Sequence, residues 1–266
     1  MTVAVPQPDP AWAELSDHAL AAVLAQEAGR LLVAHRDSLV ANGTTQFQLR
    51  NSGDSVGHHF LADALALIRP NDALLSEEGT DNDERLSAKR VWIVDPLDGT
   101  KEFGERRPDW AVHVALWEDG ELIAGAVALP AIDQVFATDP APQLPPKIGD
   151  KPRLVTSRSH APYSAVLVAN KMECDAFQLG SAGAKAMSVV MGDADIYVHD
   201  GGMYQWDSAA PVVVAQAAGL HCSRIDGSPF RYNEADTWLP DLIICRPEYT
   251  DGVLDALWGK NRPIIS

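Results

Sequence analysis

The chain has 266 residues, 46% of them hydrophobic, enough for one large core or two smaller ones. Its 37 acidic against 21 basic side chains leave a formal charge of −16, which argues against nucleic-acid and anionic-membrane partners. No apolar run reaches the length of a membrane span and Met1 to Pro10 lacks the basic start and apolar core of a signal peptide. Cys174, Cys222 and Cys245 show no Cys-x-x-Cys spacing, so a cytoplasmic protein with reduced thiols is expected.

Residues 1–15 begin proline-rich and read as a loose lead-in. Ser16 has the chemistry of an N-cap, and Leu20, Val23, Leu24, Ala28, Leu31 and Leu32 then recur at helical spacing to about Arg36. Asn42 to Gly53, polar and glycine-containing, predicts a mobile loop or hairpin. A second helix is predicted after Asp54, with Phe60, Leu61, Ala64, Leu65 and Ile68 on one face and Pro70 closing it. Ala73 to Ser76 is a short strand running into Glu77-Glu78-Gly79, and the charged stretch Thr80 to Lys89 is expected at the surface. Val91 to Val94 is a buried strand. Asp119-Gly120 between Ala111 to Glu118 and Glu121 to Leu129 signals a hairpin, with Asp133 to Thr138 as a third antiparallel strand. Pro140, Pro142, Pro145, Pro146 and Pro152 mark a linker. They suggest an N-terminal subdomain over 16–145 with most of the acidic clusters and a C-terminal one over 146–266.

The second half alternates. Strands are predicted at 153–157, near Phe177, and at 195–199, 220–224 and 242–246. Between them come an apolar segment at 165–169, a helix at 183–191, a helix from about Trp206-Asp207 to Ala218 closed by Gly219, and a short helix near 253–258. The order suits a mixed α/β or α+β fold of stacked helix and sheet layers.

The chemistry centres on Val91-Trp92-Ile93-Val94-Asp95-Pro96-Leu97-Asp98-Gly99-Thr100. Pro96 fixes its φ and has no N–H, so the backbone is expected to turn between the aspartates and aim both at one point. Gly99 permits close backbone approach, and N–H groups from there onward can hold phosphate. Four acidic clusters, Asp54, Glu77-Glu78, Asp95 with Asp98, and Asp207, each fall where a predicted element meets a turn. Singly, Asp54 and Asp207 read as N-caps and Glu78 as surface charge; jointly they read as a cation site. Hard oxygen donors without His or Cys favour Mg²⁺ over zinc. Bound Mg²⁺ would also reverse the local field that otherwise repels an anionic substrate. His58-His59 read as helix-surface residues.

In their order, Asp54, Glu77-Glu78, Asp95-Pro96-Leu97-Asp98-Gly99-Thr100 and Trp206-Asp207 with Ala209-Ala210 resemble the signature of the inositol monophosphatase superfamily of Mg²⁺-dependent, lithium-sensitive phosphatases, from about Leu20 to Arg246. The resemblance implies an α+β fold, a layered αβαβα sandwich. It implies metal ligands at Glu77, Asp95 (bridging), the Leu97 carbonyl, Asp98 and Asp207, holding two or three Mg²⁺. It implies that Asp54 and Thr100 orient and activate the attacking water, and that the Gly99-Thr100 backbone cradles the phosphate. The small phosphorylated substrate would lie against Glu77, Leu97, Asp98, Gly99, Thr100 and Asp207. The chain departs from the family pattern in three places: Asn51-Ser52-Gly53 precedes Asp54, Pro211 stands where glycine is usual, and Leu220 follows Gly219.

Within Gly180-Ser181-Ala182-Gly183-Ala184-Lys185, Lys185 resembles the lysine of 3′(2′),5′-bisphosphate nucleotidases, and Ser181 and Lys185 are expected to touch substrate. The Leu-Ser-Glu-Glu and Val-Trp-Ile-Val-Asp stretches are similar to the bacterial sulfur-assimilation branch. Hydrolysis of 3′-phosphoadenosine 5′-phosphate to AMP is therefore expected. The alternatives are an inositol monophosphatase or fructose-1,6-bisphosphatase, a phosphoaspartyl phosphatase, and a non-catalytic metal-binding protein. Lys185 also reads as a solvent-facing helix lysine, and a homodimer is kept as an expectation.

Overall fold

The structure is a computed structural model that describes residues 6–261. The first five residues of the lead-in, and with them half of the Met1 to Pro10 stretch read against a signal peptide, lie outside those described. The remainder of the lead-in is not loose. Pro10–Glu14 forms a 3₁₀ turn capped by Asp9, and Trp12 meets Phe60 edge-on at 6.5 Å.

Helices α1 (Asp17–Ala41) and α2 (Gln46–Ile68) are followed by β1 (Ala73–Ser76), β2 (Arg90–Asp98), the short α3 (Thr100–Gly104), β3 (Ala111–Glu118), β4 (Glu121–Leu129) and β5 (Gln134–Ala137). These strands make one sheet in sequence order, with β1 parallel to β2 and the others antiparallel. After the proline-rich stretch come β6 (Arg153–Ser157), α4 (Tyr163–Lys171), β7 (Asp175–Leu179), α5 (Ala182–Val190) and β8 (Ile196–His199). Then follow β9 (Met203–Tyr204), α6 (Gln205–Ala217), β10 (His221–Ser223), β11 (Trp238–Leu239), β12 (Leu242–Cys245) and α7 (Thr250–Trp258). The second sheet has the order β10-β12-β8-β6-β7, and β9 pairs with β11 in a separate ribbon.

Side-chain alternation along the strands builds the layers. Trp92 and Val94 of β2, with Val112, Val114 and Leu116 of β3, face α1 and α2. The other parity, Val91 and Ile93 with Ala111 and Ala115, faces α5 and α6, which also cover Val155, Tyr197 and Ile244 of the second sheet. The outer face of that sheet, Leu154, Ile196, Val198 and Ile243, packs on α4 and α7. The result is α1α2, sheet, α5α6, sheet, α4α7: an α+β sandwich of five layers.

Two further expectations are corrected. Asn42 to Gly53 is not a loop, because α2 starts at Gln46 behind a Thr45–Gln48 capping box, and Asp54 lies inside the helix rather than at its N-cap. Thr80 to Lys89 is not wholly exposed: Asp83–Ser87 forms a 3₁₀ turn, and buried Arg85 reaches across to Asn233 (2.8 Å) and the Glu234 carbonyl (3.1 Å). The end of α6 follows the expected glycine stop. Gly219 has φ +86°, its N–H donates to the Gln216 carbonyl, and the Leu220 N–H donates to that of Ala215. Among the described residues no helix is long and apolar enough to cross a membrane.

Candidate active site

The site forms where β2 ends over the N-termini of α5 and α6. Both aspartates stay within β2 instead of flanking a turn. Asp95 is opposite His113 and Asp98 opposite Ala111, so β2 fits three residue steps against two on β3, a bulge at Pro96-Leu97 that re-aims the carboxylates. Carboxylate oxygens of Asp95, Asp98 and Asp207 come within 4.8 Å of one another.

Asp95 is fully buried. Its Oδ1 accepts from the Leu97 N–H at 3.0 Å, whereas Oδ2 has no hydrogen-bond partner. Burial raises its carboxyl well above the ordinary range, and the Glu77, Asp98 and Asp207 charges add to the effect. Glu77, just beyond β1, lies against it. Glu77 is exposed as a residue, yet loss of hydration at its carboxyl, together with Asp207, Asp98 and Asp54, brings it up to about 7 despite its contact with Asp95. Glu78 is exposed and acts on Asp54 only through its charge.

Asp98 is treated differently. The N–H groups of Ala182 (3.1 Å) and Gly183 (2.6 Å) at the start of α5 and the Ser181 hydroxyl all donate to it, and His113 Nε2 lies 3.2 Å away. Burial alone would raise it, but His113, Lys185 and Ser181 outweigh that and hold its carboxyl below the ordinary range. The close approaches need glycine. A Cβ on Gly183 would stand 2.1 Å from His113 Nε2, and one on Gly180 would stand 2.2 Å from Glu102. Between them Ser181 takes φ +46°, a conformation unusual for serine, while its hydroxyl caps α5 through the Ala184 N–H.

Asp207 is the third residue of α6. Its Oδ2 accepts from the Tyr204 N–H at 2.6 Å, the N-terminal half of a capping arrangement. Burial and Asp98 raise it to about 6. Asp54, on the facing turn of α2, accepts from Thr100 Oγ1 at 3.1 Å. The same hydroxyl lies 3.3 Å from the Leu97 carbonyl. Burial and the Glu78 charge bring Asp54 up to about 6 against the lowering effect of Thr100. Gly99, at φ +92°, lies against Ser181 and Trp110 at the start of α3.

Lys185 departs from its reading as a solvent-facing helix lysine. It is neither solvent-facing nor turned toward an open cleft: it is 5% exposed, and its ammonium is held by the Gly180 carbonyl (3.1 Å) and the Ser181 carbonyl. Burial lowers its pKa against the opposing pull of Asp98 and Glu102. Ser181 is likewise committed to Asp98 and to its helix. The residue that sequence reasoning missed is His113. Its Nδ1 faces the Trp206 carbonyl at 3.1 Å, which requires the proton on that nitrogen, and the ring bridges Asp98 to α6.

A divalent cation fits these residues. Four carboxyl groups converge, three of them are pushed toward protonation by burial and one another, and a fully buried oxygen of the central one has no partner. The donors are all oxygen, as Mg²⁺ requires.

A five-layered body with this acidic cleft defines a phosphatase of the metal-dependent kind. The chain belongs to the inositol monophosphatase family, whose profile matches residues 13–143 and 146–260. It is 44% identical over 263 residues to the 3′-phosphoadenosine 5′-phosphate phosphatase of Mycobacterium leprae, covering 92% of this chain and 96% of that protein. It is 32% identical over 201 residues to the 3′(2′),5′-bisphosphate nucleotidase CysQ of Escherichia coli, covering 71% of this chain and 81% of that protein. In three dimensions it is similar to inositol monophosphatase II of Staphylococcus aureus, with a TM-score of 0.73 at 22% identity over 90% of this chain and 95% of that one, a likeness of fold.

Proposed function

We propose that this protein is a Mg²⁺-dependent phosphatase that hydrolyses 3′-phosphoadenosine 5′-phosphate to AMP and phosphate in the cytoplasm. The observation that carries the reading is the unpartnered, fully buried Asp95 Oδ2 at the centre of converging carboxylates, in a chain 44% identical to a phosphatase named for that substrate.

Glu77, Asp95, the Leu97 carbonyl, Asp98 and Asp207 would hold two or three Mg²⁺. The bound metal supplies charge neutralisation and Lewis acidity for a reaction whose uncatalysed rate is among the slowest known. The chain's own residues do the rest. The Gly99 and Thr100 N–H groups, at the start of α3, receive the phosphoryl oxygens. Thr100 donates its hydroxyl proton to Asp54, which leaves the hydroxyl oxygen free to accept from the attacking water and to orient it. With a carboxyl near 6, Asp54 is ionised at neutral pH yet basic enough to take the proton that the water gives up. Ser181, His113 and Lys185 keep Asp98 ionised and fixed rather than touching substrate. The second phosphate of a bisphosphate calls for a cation away from the metals. Lys101 suits that role, since it follows Thr100 directly, is exposed, and has the neutral Ser159 hydroxyl as its partner at 3.1 Å.

The test is a substrate panel. With Mg²⁺, purified protein is expected to release phosphate from 3′-phosphoadenosine 5′-phosphate far faster than from inositol 1-phosphate or fructose 1,6-bisphosphate, with inhibition by lithium. The reverse ranking rejects the assignment. Covalent phosphate trapped on Asp95 or Asp98 would replace water attack by a phosphoaspartyl route.

A further inference from the structure

Beside the acidic cleft the chain exposes an aromatic surface that phosphate hydrolysis itself does not use. Tyr204 and Trp238 are 43% and 48% open to solvent. They are held rigidly. The two face each other across the β9–β11 ribbon, with Trp238 opposite Tyr204 and their rings edge to face at 5.4 Å and 82°. Tyr204 also stacks on Trp206, centroids 4.8 Å apart and planes 12° apart. Gly202, at φ +79°, packs against the Trp238 indole, where a Cβ would come within 1.8 Å of the ring.

This shelf is one unit with the metal cleft. The Tyr204 N–H is bonded to Asp207 Oδ2 at 2.6 Å, and the stacked Trp206 is the residue next to Asp207. A molecule whose phosphate reaches Asp207 therefore has the Tyr204–Trp238 pair as a neighbour. Resting on the phosphatase reading above, we propose that Tyr204 and Trp238 stack the purine base of the nucleotide substrate and select it over inositol and sugar phosphates. Aromatic rings left in water forgo the gain of burial, and a base laid on them restores it. Base–aromatic stacking is worth about 1–3 kcal/mol per base. An inositol ring offers hydroxyl groups in place of a π-face and gains nothing comparable. Because the bond to Asp207 comes from the backbone, side-chain changes at 204 leave that anchor in place.

The experiment uses the full chain with Mg²⁺ and the variants Tyr204→Ala, Trp238→Ala, the double variant, Tyr204→Phe and Trp238→Phe. Two readouts are taken: steady-state KM and kcat for 3′-phosphoadenosine 5′-phosphate, and quenching of tryptophan fluorescence by AMP against ribose 5-phosphate. The expected result is a KM raised about 5- to 150-fold in each alanine variant, the equivalent of one stacked base, with kcat far less affected. The phenylalanine variants are expected to stay near wild type. AMP affinity should fall in parallel with the KM effect while ribose 5-phosphate affinity does not. A Mg²⁺-induced thermal shift confirms that each variant is folded. Unchanged KM and AMP affinity in the double variant overturn the proposal, as does a wild-type protein that binds AMP no better than ribose 5-phosphate. If the double variant alters the oligomeric state and leaves AMP binding intact, the shelf is a self-association surface and the proposal fails. If the wild type does not hydrolyse 3′-phosphoadenosine 5′-phosphate but AMP binding is lost in the variants, the substrate assignment fails and the base shelf stands.

Discussion

Replacing Asp95 by asparagine should make the metal-free protein more stable and the enzyme inactive. The two side chains have the same shape, so Oδ1 can still accept from the Leu97 N–H at 3.0 Å. Oδ2 is fully buried and receives no N–H, and the carboxyl lies in contact with Glu77 amid the charges of Asp98 and Asp207. An amide N–H can donate to Glu77 and stays neutral at any pH, whereas the acid bonds Glu77 only while it holds its proton. Leaving a buried acceptor unsatisfied costs about 1–3 kcal/mol, more for a charge, so Asp95→Asn is expected to gain about that much in EDTA at pH 8. For a chain of this size each kcal/mol moves Tm by about 2–3 °C, giving a rise of about 2–9 °C. Mg²⁺ at a hundredfold excess over its Kd adds about 2.7 kcal/mol to the wild type, or about 5–8 °C, and should add little to the variant. Melting both proteins in EDTA and in Mg²⁺, with phosphate release measured alongside, checks the whole set. A variant less stable than wild type in EDTA, or one retaining the full Mg²⁺ shift, refutes the reasoning.

Stability of the metal-free protein should depend on pH in a definite direction. Carboxyls raised in the fold, Asp54 and Asp207 to about 6 and Glu77 to about 7, bind protons more tightly folded than unfolded. Their stabilisation is present below about pH 4 and is lost as pH rises through those values, a drop on the order of 3 kcal/mol for Asp54 or Asp207 taken alone and less for the more exposed Glu77. Asp98, held low, acts the other way and loses its contribution only in acid. Urea midpoints in EDTA should therefore fall between about pH 5 and 8, and Mg²⁺ should flatten the slope; a rising midpoint contradicts the site's electrostatics. Thr100→Val should lower kcat by about 10²–10⁴-fold while keeping the Mg²⁺-induced thermal shift, and loss of that shift would mean that Thr100 serves the metal rather than the water. Gly183→Ala places a Cβ 2.1 Å from His113 Nε2, whose ring is fully buried. A loss of about 1–3 kcal/mol is expected in urea unfolding, and a wild-type midpoint would show that the ring can swing aside.

The parts legible in sequence were those governed by local pattern. The apolar run Val91 to Val94, the Asp119-Gly120 hairpin and the Gly219 stop are each set by residues within a few positions. The start of α2 was legible too, in Thr45 and Gln48, but the polar run Asn51-Ser52-Gly53 masked it. That run is helical because Gly53 and Gly57 let β2 pack close: a Cβ at 53 would stand 2.7 Å from Leu97, and one at 57 would stand 3.0 Å from Pro96. The helix tolerates the glycines for that contact, and the contact brings Asp54 to Thr100. His113 had a signal, an imidazole at the same parity as Ala111 and Ala115 on a buried strand face, but its partners, Asp98 and the Trp206 carbonyl, are set by the β2–β3 bulge and the packing of α6, which a linear pattern does not specify. Lys185 was placed by analogy with a substrate contact, and only packing shows its ammonium bonded to the carbonyls that begin its own helix.

The most direct test of the cation-holding cleft is a crystal grown or soaked with Mn²⁺ and AMP plus phosphate, with the ions located by anomalous scattering. The expected result is at least two peaks about 2.1 Å from oxygens of Glu77, Asp95, Leu97, Asp98 and Asp207, with the phosphate alongside Gly99 and Thr100. Peaks elsewhere, or a fully occupied phosphate with no metal at Asp95, would contradict it.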